Sequence, residues 1–556
     1  MSRSGFPILL MMKPKSIVLF SLAFLACRLY GGDLTFEKLV HAQDNPAEWL
    51  MYWGDYHANR YRNLTQINDK NVGSLRLEWI YQMNSTGASE TMPLVADGVM
   101  YFSTPDTAAV AVDARSGRQL WRYQYRIPKD AKYCCGNLNR GLAIYKDRVY
   151  METPDTRLLA LDRRDGSLVW NIEVAPSTGG AYGGTEAPLV VNGKVILGAA
   201  AGDYGIRGFV DAYDAETGKR LWRFTTIPGP GEPGNETWGG DSWKHGGGAT
   251  WLTGTYDPES NTIYWPIGNP APDLVGAVRP GDNLYTDCLV ALDADTGKMK
   301  WYFQFTPHDT YDYDAAETPM LVDLPWKGKM RKLVLHADRN GFFYVLDRVT
   351  GEFLSAKAFV KTTWATGIDS KGRPIRVPGL DPTPAGVTVC PQCAGGTNWM
   401  APSFNPKTGL YYFNVREGCD TFYSKSPVFK EGTSYWATSA RAEADEHQKG
   451  RVTAINPLTG ETKWTFPLYS SPWAGTLATA GNLVFAGDED GYLMALHADT
   501  GKLLWRVNTG SRLVTSPITY ELDGKQYVTM PSGSVVLTFA LPAGNTSGSQ
   551  QAARGN

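Results

Sequence analysis

One phrase recurs along this chain and limits its possible folds more than any other property. Its form is apolar-Asp-x-x-Thr/Ser/Asp-Gly-x-x-x-Trp. It reads AVDARSGRQLW (Ala111 to Trp121), ALDRRDGSLVW (Ala160 to Trp170), AYDAETGKRLW (Ala212 to Trp222) and ALDADTGKMKW (ending at Trp301). It returns as VLDRVTGEFLS, with Ser355 at the Trp place, as AINPLTGETKW (ending at Trp464) and as ALHADTGKLLW (ending at Trp505). The Asp places, 113, 162, 214, 293, 347, 456 and 497, are 49, 52, 79, 54, 109 and 41 residues apart. A worn copy, Phe404-Asn405-Pro406-Lys407-Thr408-Gly409 with Phe413 at the Trp place, divides the longest gap into 58 and 51. A further degenerate match, from Tyr256-Asp257-Pro258 through Asn261 to Trp265, leaves the count at eight, give or take one. Physically the phrase is a strand, a tight turn in which Gly supplies φ > 0, and a second strand carrying an indole. Periods of this length with such hairpins predict an all-β chain. The expected architecture is an eight-bladed β-propeller of four-stranded antiparallel blades, with the Trp side chains packed between adjacent blades.

Length alone, 556 residues, would predict three or four domains. The repeat replaces that with a single propeller domain over 31–541. Before it, Lys13 and Lys15 precede an apolar stretch from Ile17 to Ala26, the form of a secretory signal over 1–30. That stretch is too short to span a bilayer. Cys27 is either lost with the signal or a lipid anchor. The expected location is therefore periplasmic, where disulfides are plausible. The tail, 542–556, is small and polar and is expected to be disordered. Lys plus Arg number 54 against 56 Asp plus Glu, a balance that gives no electrostatic reason to bind nucleic acid or an acidic membrane. Seven cysteines are present, an odd number that needs an explanation.

Function is expected where the repeat breaks. Cys134 and Cys135 are adjacent, so they form either a strained vicinal disulfide or two buried thiols. Trp238 to Trp251 (WGGDSWKHGGGATW) interleaves glycines, which allow close backbone approach, with indoles that can stack on a planar ligand. Gly202-Asp203-Tyr204, Gly268-Asn269-Pro270 and Asp309 to Asp314 offer oxygen donors suited to a hard cation, or else are solvated loop acids. Cys390, Cys393 and Cys419 lack an evident fourth ligand for zinc. Ala394 follows Cys393, so covalent haem attachment is not encoded there.

Together the repeat phrase, Cys134-Cys135 with Asn139-Arg140-Gly141, and Gly268-Asn269-Pro270-Ala271-Pro272 resemble the pyrroloquinoline quinone (PQQ)-dependent alcohol dehydrogenases, from about residue 40 to 540. The resemblance implies periplasmic oxidation of an alcohol to an aldehyde or ketone. A metal-polarised quinone accepts hydride, and electrons pass to a soluble cytochrome c. It implies that Cys134 and Cys135 form a vicinal disulfide on one face of PQQ and that Trp251 stacks on the other. Glu90 (in SETMP), Arg140 and Thr185 (in GGTEAP) match residues that bond the cofactor's polar edge. Asn398 and Trp473 (in SPWAGT) match further cofactor contacts. Arg339 (in HADRNG) matches the cation beside the reactive oxygens, and Asp312 the catalytic base. Asp203, Asn269, Asp312 and Asp314 match metal-site positions. Cys390 and Cys419 match a structural disulfide, which leaves Cys288 and Cys393 unplaced. A homodimer is compatible with the chain.

Three departures from the family pattern matter. Asp314, two residues after Asp312, resembles the extra carboxylate of the lanthanide-dependent branch, whereas Asp203 is one methylene shorter than the usual Glu. A lanthanide(III) ion is therefore expected ahead of Ca2+. Asp273 stands where methanol dehydrogenases carry a Trp that narrows the substrate pocket, so a wider, more polar pocket and a larger or polyhydroxylated alcohol are expected. Ala200-Ala201 replace a Ser-Gly pair on the cofactor-edge loop. The alternatives are a PQQ-dependent sugar or polyol dehydrogenase and a non-catalytic propeller scaffold or binding protein.

Overall fold

In the computed structural model, residues 34–543 are described apart from 88, 177–181, 437 and 443–448. The expected signal over 1–30, with Cys27, and the tail beyond residue 543 lie outside the described residues. The chain is nearly all-β. Seven four-stranded sheets and one five-stranded sheet form its body, and two smaller sheets of two and three strands accompany them. One α-helix, Phe36–Val40, and a few 3₁₀ turns complete the described elements. None of the described helices is long and apolar enough to cross a membrane.

The repeated phrase folds as its chemistry requires. In the first copy the strands Ala108–Asp113 and Gln119–Gln124 pair antiparallel, with Ala111 opposite Trp121. The Asp113 carboxylate accepts from the N–H groups of Arg115 and Ser116 at 2.9 and 3.0 Å and from the Ser116 hydroxyl at 3.0 Å. Gly117 closes the turn at φ 70°. This is an Asx-type turn, and it explains why Asp, Ser/Thr and Gly recur at those places. Each phrase indole except Trp505, which lies against Phe539, then reaches the next copy. Trp121 Nε1 donates to Arg163 O at 3.0 Å, and the ring lies against Gly166, where a Cβ would come within 2.6 Å of it. The same relation joins Trp79 to Gly117, Trp170 to Gly218, Trp222 to Gly297, Trp301 to Gly351 and Trp464 to Gly501. Where Ser355 replaces the indole, the aliphatic stem of Lys357 lies against Gly460 instead.

The order of the copies differs from the sequence count. The worn copy is the hairpin Ser403–Asn405/Leu410–Glu417, the first half of the sheet whose outer hairpin is AINPLTGETKW. The match at Tyr256 to Trp265 is likewise the first hairpin of the sheet ending at Trp301. Neither begins a sheet of its own. The long gap instead carries the two small sheets, built from strands between Ala365 and Ala442. The remaining large sheet has no phrase. Three of its strands, Ile518–Leu522, Lys525–Ser532 and Val535–Ala540, come from the end of the chain, and the fourth, Arg76–Gln82, from its beginning. Its indole is Trp79.

In each large sheet the inner strands are buried on both faces, as in Val99–Thr104, while the outer strand is partly exposed, as in Gln119–Gln124. Function therefore falls to the loops. In an antiparallel sheet the loop entering strand one and the loop joining strands two and three lie at the same end. These are the loops that build the site.

Candidate functional site

A cavity of about 420 Å³ is lined by Glu90, Cys135, Arg140, Thr185, Asp203, Trp251, Asn269, Asp312, Asp314, Arg339, Asn398 and Trp473, among others. Every site residue named from the sequence stands on its wall except Cys134, which joins it through a disulfide to Cys135. Each of the eight large sheets contributes from the loop entering its first strand. The contributors are Glu90, Arg140, Thr185, Trp251, Asp312 with Asp314, Asn398, Trp473 and Val514. Asp203, Asn269 and Arg339 come from loops joining second and third strands.

Two groups of side chains stand on this wall. In the first, Arg140 Nη2 meets Glu90 Oε2 at 3.0 Å, and Arg140 Nη1 donates to Thr185 O at 3.2 Å. The Arg140 guanidinium lies 4.8 Å from the Trp251 ring and 4.9 Å from Trp399. Burial raises the Glu90 carboxyl, partly countered by Arg140. The vicinal disulfide is held with Cys135 at φ 67° and exposed, while Cys134 is buried. Gly183 permits this approach, since a Cβ there would lie 2.7 Å from Cys134 Sγ.

The second group is dominated by carboxylates. Arg339 Nη1 donates to Asp312 O at 2.7 Å and lies 3.5 Å from Asp312 Oδ2, while Nη2 meets Asp314 Oδ2 at 3.0 Å. Trp251 Nε1 donates to Asp314 Oδ2 at 3.2 Å, and Asn269 N–H donates to Asp314 Oδ1 at 2.6 Å. Any Cβ at residue 268 would collide with that carboxylate, so Gly268 is required there. Asp312 adopts φ 62°, a left-handed conformation rare outside glycine and a form of strain that clusters at functional sites. Burial, then repulsion from Asp314, pushes Asp203 up to about 6. Asp312 is raised well above the carboxylate range by burial first, with Arg339 opposing and Asp314 and Asp203 adding. Arg339 stays cationic, its burial outweighed by Asp314, Asp312 and Glu317.

The structure adds relations that no motif marks. Asp203, Asp273 and Asp312 each offer an oxygen within 4.8 Å of the others. Asp273 is fully buried and is not on the cavity wall, so it does not make the pocket more polar as expected. Trp399 and Arg512 line the cavity without any motif to mark them. Cys393 donates from Sγ to Asp312 Oδ2 at 3.5 Å, and burial keeps its thiol protonated. Cys390 pairs with Cys419, and Cys288 is a free buried thiol. Beside Arg339, a buried group of Glu317, His336 and Asp338 sets Glu317 Oε1 3.9 Å from Arg339 Nε.

The residues present fit both groups that the resemblance implies. An orphaned polar atom in the first group, Arg140 Nε, beside the buried Arg140–Glu90 ion pair suits a planar ligand bearing carboxylates. The second group gathers more carboxylate than Arg339 neutralises, which suits a hard cation.

Comparison with known proteins agrees with this geometry. The family profile for the "Glucose/ethanol/alcohol dehydrogenase, beta-propeller domain" matches residues 49–356. A second profile, for "Outer membrane protein assembly factor BamB", matches 448–550, a stretch of repeat hairpins. Quinoprotein alcohol dehydrogenase PedH of Pseudomonas putida is 38% identical over 89% of this chain and 88% of its own length. Quinohemoprotein alcohol dehydrogenase of Comamonas testosteroni is 40% identical over 87% of this chain and 72% of its own length. The crystal structure of the Comamonas testosteroni enzyme superposes with a TM-score of 0.85 at 36% identity, covering 94% of this chain and 86% of that one. A europium-containing methanol dehydrogenase superposes with a TM-score of 0.86 at 31% identity, covering 91% of this chain and 100% of that one.

Proposed function

The chain belongs to the PQQ-dependent quinoprotein alcohol dehydrogenases, and from that premise we propose that it oxidises an alcohol larger than methanol, or a polyol, to the aldehyde or ketone in the periplasm, with a cytochrome c as acceptor. The observation that carries this reading is the convergence of disulfide, indole, guanidinium and carboxylates on one cavity. In this reading the eight large sheets are blades of a closed propeller, the repeat indoles other than Trp505 docked on the turn of the next blade. That arrangement brings the eight entry loops to one axis.

Cys134-Cys135 and Trp251 would hold PQQ between them, with Glu90, Arg140, Thr185, Asn398 and Trp473 at its edge. Asp203, Asn269, Asp312 and Asp314 would hold the metal, with a lanthanide(III) ion favoured over Ca2+. When bound, the quinone supplies a two-electron acceptor and the metal a Lewis acid beside it. The protein's part is placement and proton handling. Asp312 accepts the substrate hydroxyl proton at its carboxylate. Arg339 fixes the Asp312 backbone through the carbonyl and places positive charge where negative charge develops. Cys393, a neutral donor, orients the same carboxylate without adding charge to it.

A dye-linked alcohol oxidation assay on purified protein reconstituted with PQQ, with lanthanum or calcium added separately, tests the reading. Turnover of C2 and longer alcohols is expected, highest with lanthanum. Absence of both turnover and PQQ retention with either ion would overturn it.

A further inference from the structure

Asp273 is the residue whose position the proposed reaction does not account for. Its side chain is fully buried, and its carboxyl oxygens accept from no N–H or O–H donor of another residue type; their polar neighbour is the Asp203 carboxyl, with which Asp273 can share a proton. Two buried carboxyls side by side are costly unless a proton or a cation lies between them, and a cation satisfies both at once. The backbone on which it sits is held firmly. Arg279, itself fully buried, donates from Nε to Pro272 O at 3.2 Å and from Nη2 to Asp273 O at 3.0 Å. Its Nη1 donates to Asn283 Oδ1 at 2.8 Å. The guanidinium thus grips the carbonyls of this loop and Asn283, and makes no hydrogen bond to the Asp273 carboxylate. That carboxylate lies within 4.8 Å of oxygens from Asp203 and Asp312, one from a neighbouring sheet's second-to-third-strand loop and one from an entry loop.

Asp314, by contrast, has its oxygens engaged by Asn269 N–H, Trp251 Nε1 and Arg339. The carboxylates whose oxygens converge are therefore Asp203, Asp273 and Asp312. We propose that Asp273 is a metal-binding carboxylate, closing with Asp203 and Asp312 on one hard cation and making up for the short reach of Asp203. This rests on the metal-dependent reading of the site. Three convergent carboxylates with a fourth close by, against the single charge of Arg339, favour a trivalent over a divalent ion. Asp273 thereby becomes a selectivity residue as well as a ligand.

The test uses full-length protein reconstituted with PQQ and titrated with Eu3+, read by directly excited europium luminescence, with Asp273→Asn and Asp273→Ser beside the wild type. Either variant is expected to weaken Eu3+ binding by about 10- to 100-fold. Luminescence lifetimes in H2O and D2O should report additional bound water in Asp273→Ser. Thermal unfolding supplies a readout that a purely structural role would not give. The metal-free variants should be at least as stable as the metal-free wild type, because a repelling charge is gone, while the stabilisation on adding Eu3+ shrinks. Unchanged affinity and lifetime in both variants would overturn the proposal, as would equal destabilisation with and without the ion. The two readings fail separately. Asp273-dependent Eu3+ binding without alcohol turnover would remove only the enzymatic function. Turnover with wild-type Eu3+ affinity in both variants would remove only the role of Asp273.

Discussion

Asp314 spends its oxygens on three donors, and that fixes what its loss should do. Asp314→Ala would free Arg339 and Trp251 and remove one negative charge beside the cation. Turnover with lanthanum should fall by at least about tenfold, while calcium-supported turnover changes far less; equal loss with both ions would make the residue structural. The free thiols offer a simpler check. Cys288 is buried, Cys393 is partly buried, and burial holds both thiols above their ordinary range. A thiol reagent should label neither at neutral pH in the native protein, and both after unfolding; rapid native labelling would contradict the burial of these sites. Residues with a motif, such as Arg339 in HADRNG, were legible in the sequence. Trp399 and Arg512 were not, because a cavity wall selects by position and leaves no spacing rule. Asp273 was seen and misplaced: its number along the loop was readable, but whether it faces the cavity or the cluster behind it depends on the grip of Arg279.

The hairpin is the element that the sequence declared most openly, and its turn glycines separate two kinds of cost. Gly166 sits at φ 74° under the Trp121 ring, whereas Gly193 sits at φ 75° with open space around it. Gly193→Ala should cost only the left-handed backbone penalty, about 1 kcal/mol. Gly166→Ala must also displace an indole and should cost about 1–3 kcal/mol more by urea denaturation. Equal costs would mean that the indole does not press on the turn. The element missed in the count was the strand Arg76–Gln82. Its indole, Trp79, has no Asp-Gly turn before it because its hairpin partner lies at the other end of the chain. Periodicity reads neighbours in sequence, and a sheet joined from two termini has none.

Across the whole molecule, the buried carboxyls set the response to pH. Glu152, Glu186, Asp287 and Glu317 are all raised well above the ordinary range, chiefly by burial. The folded state therefore binds more protons than the unfolded one above pH about 4.5, and stability falls as pH rises through that range. Carboxylates held low, such as Asp162 by Arg164 and Asp214 by Thr217, lose their contribution only below the ordinary carboxylate range, under pH about 4. Metal-free protein should thus melt at a lower temperature at about pH 8 than at about pH 5, and Glu152→Gln should flatten that slope; a rising profile would place these groups in water. The sheet stitched from both termini has a consequence for the order of assembly. Because Arg76 pairs with Ala540 and the cavity wall runs from Glu90 to Val514, no nascent chain can hold a finished pocket. Ligand loading must wait until synthesis has delivered the last strand, so the pocket is among the last features of the molecule to be completed.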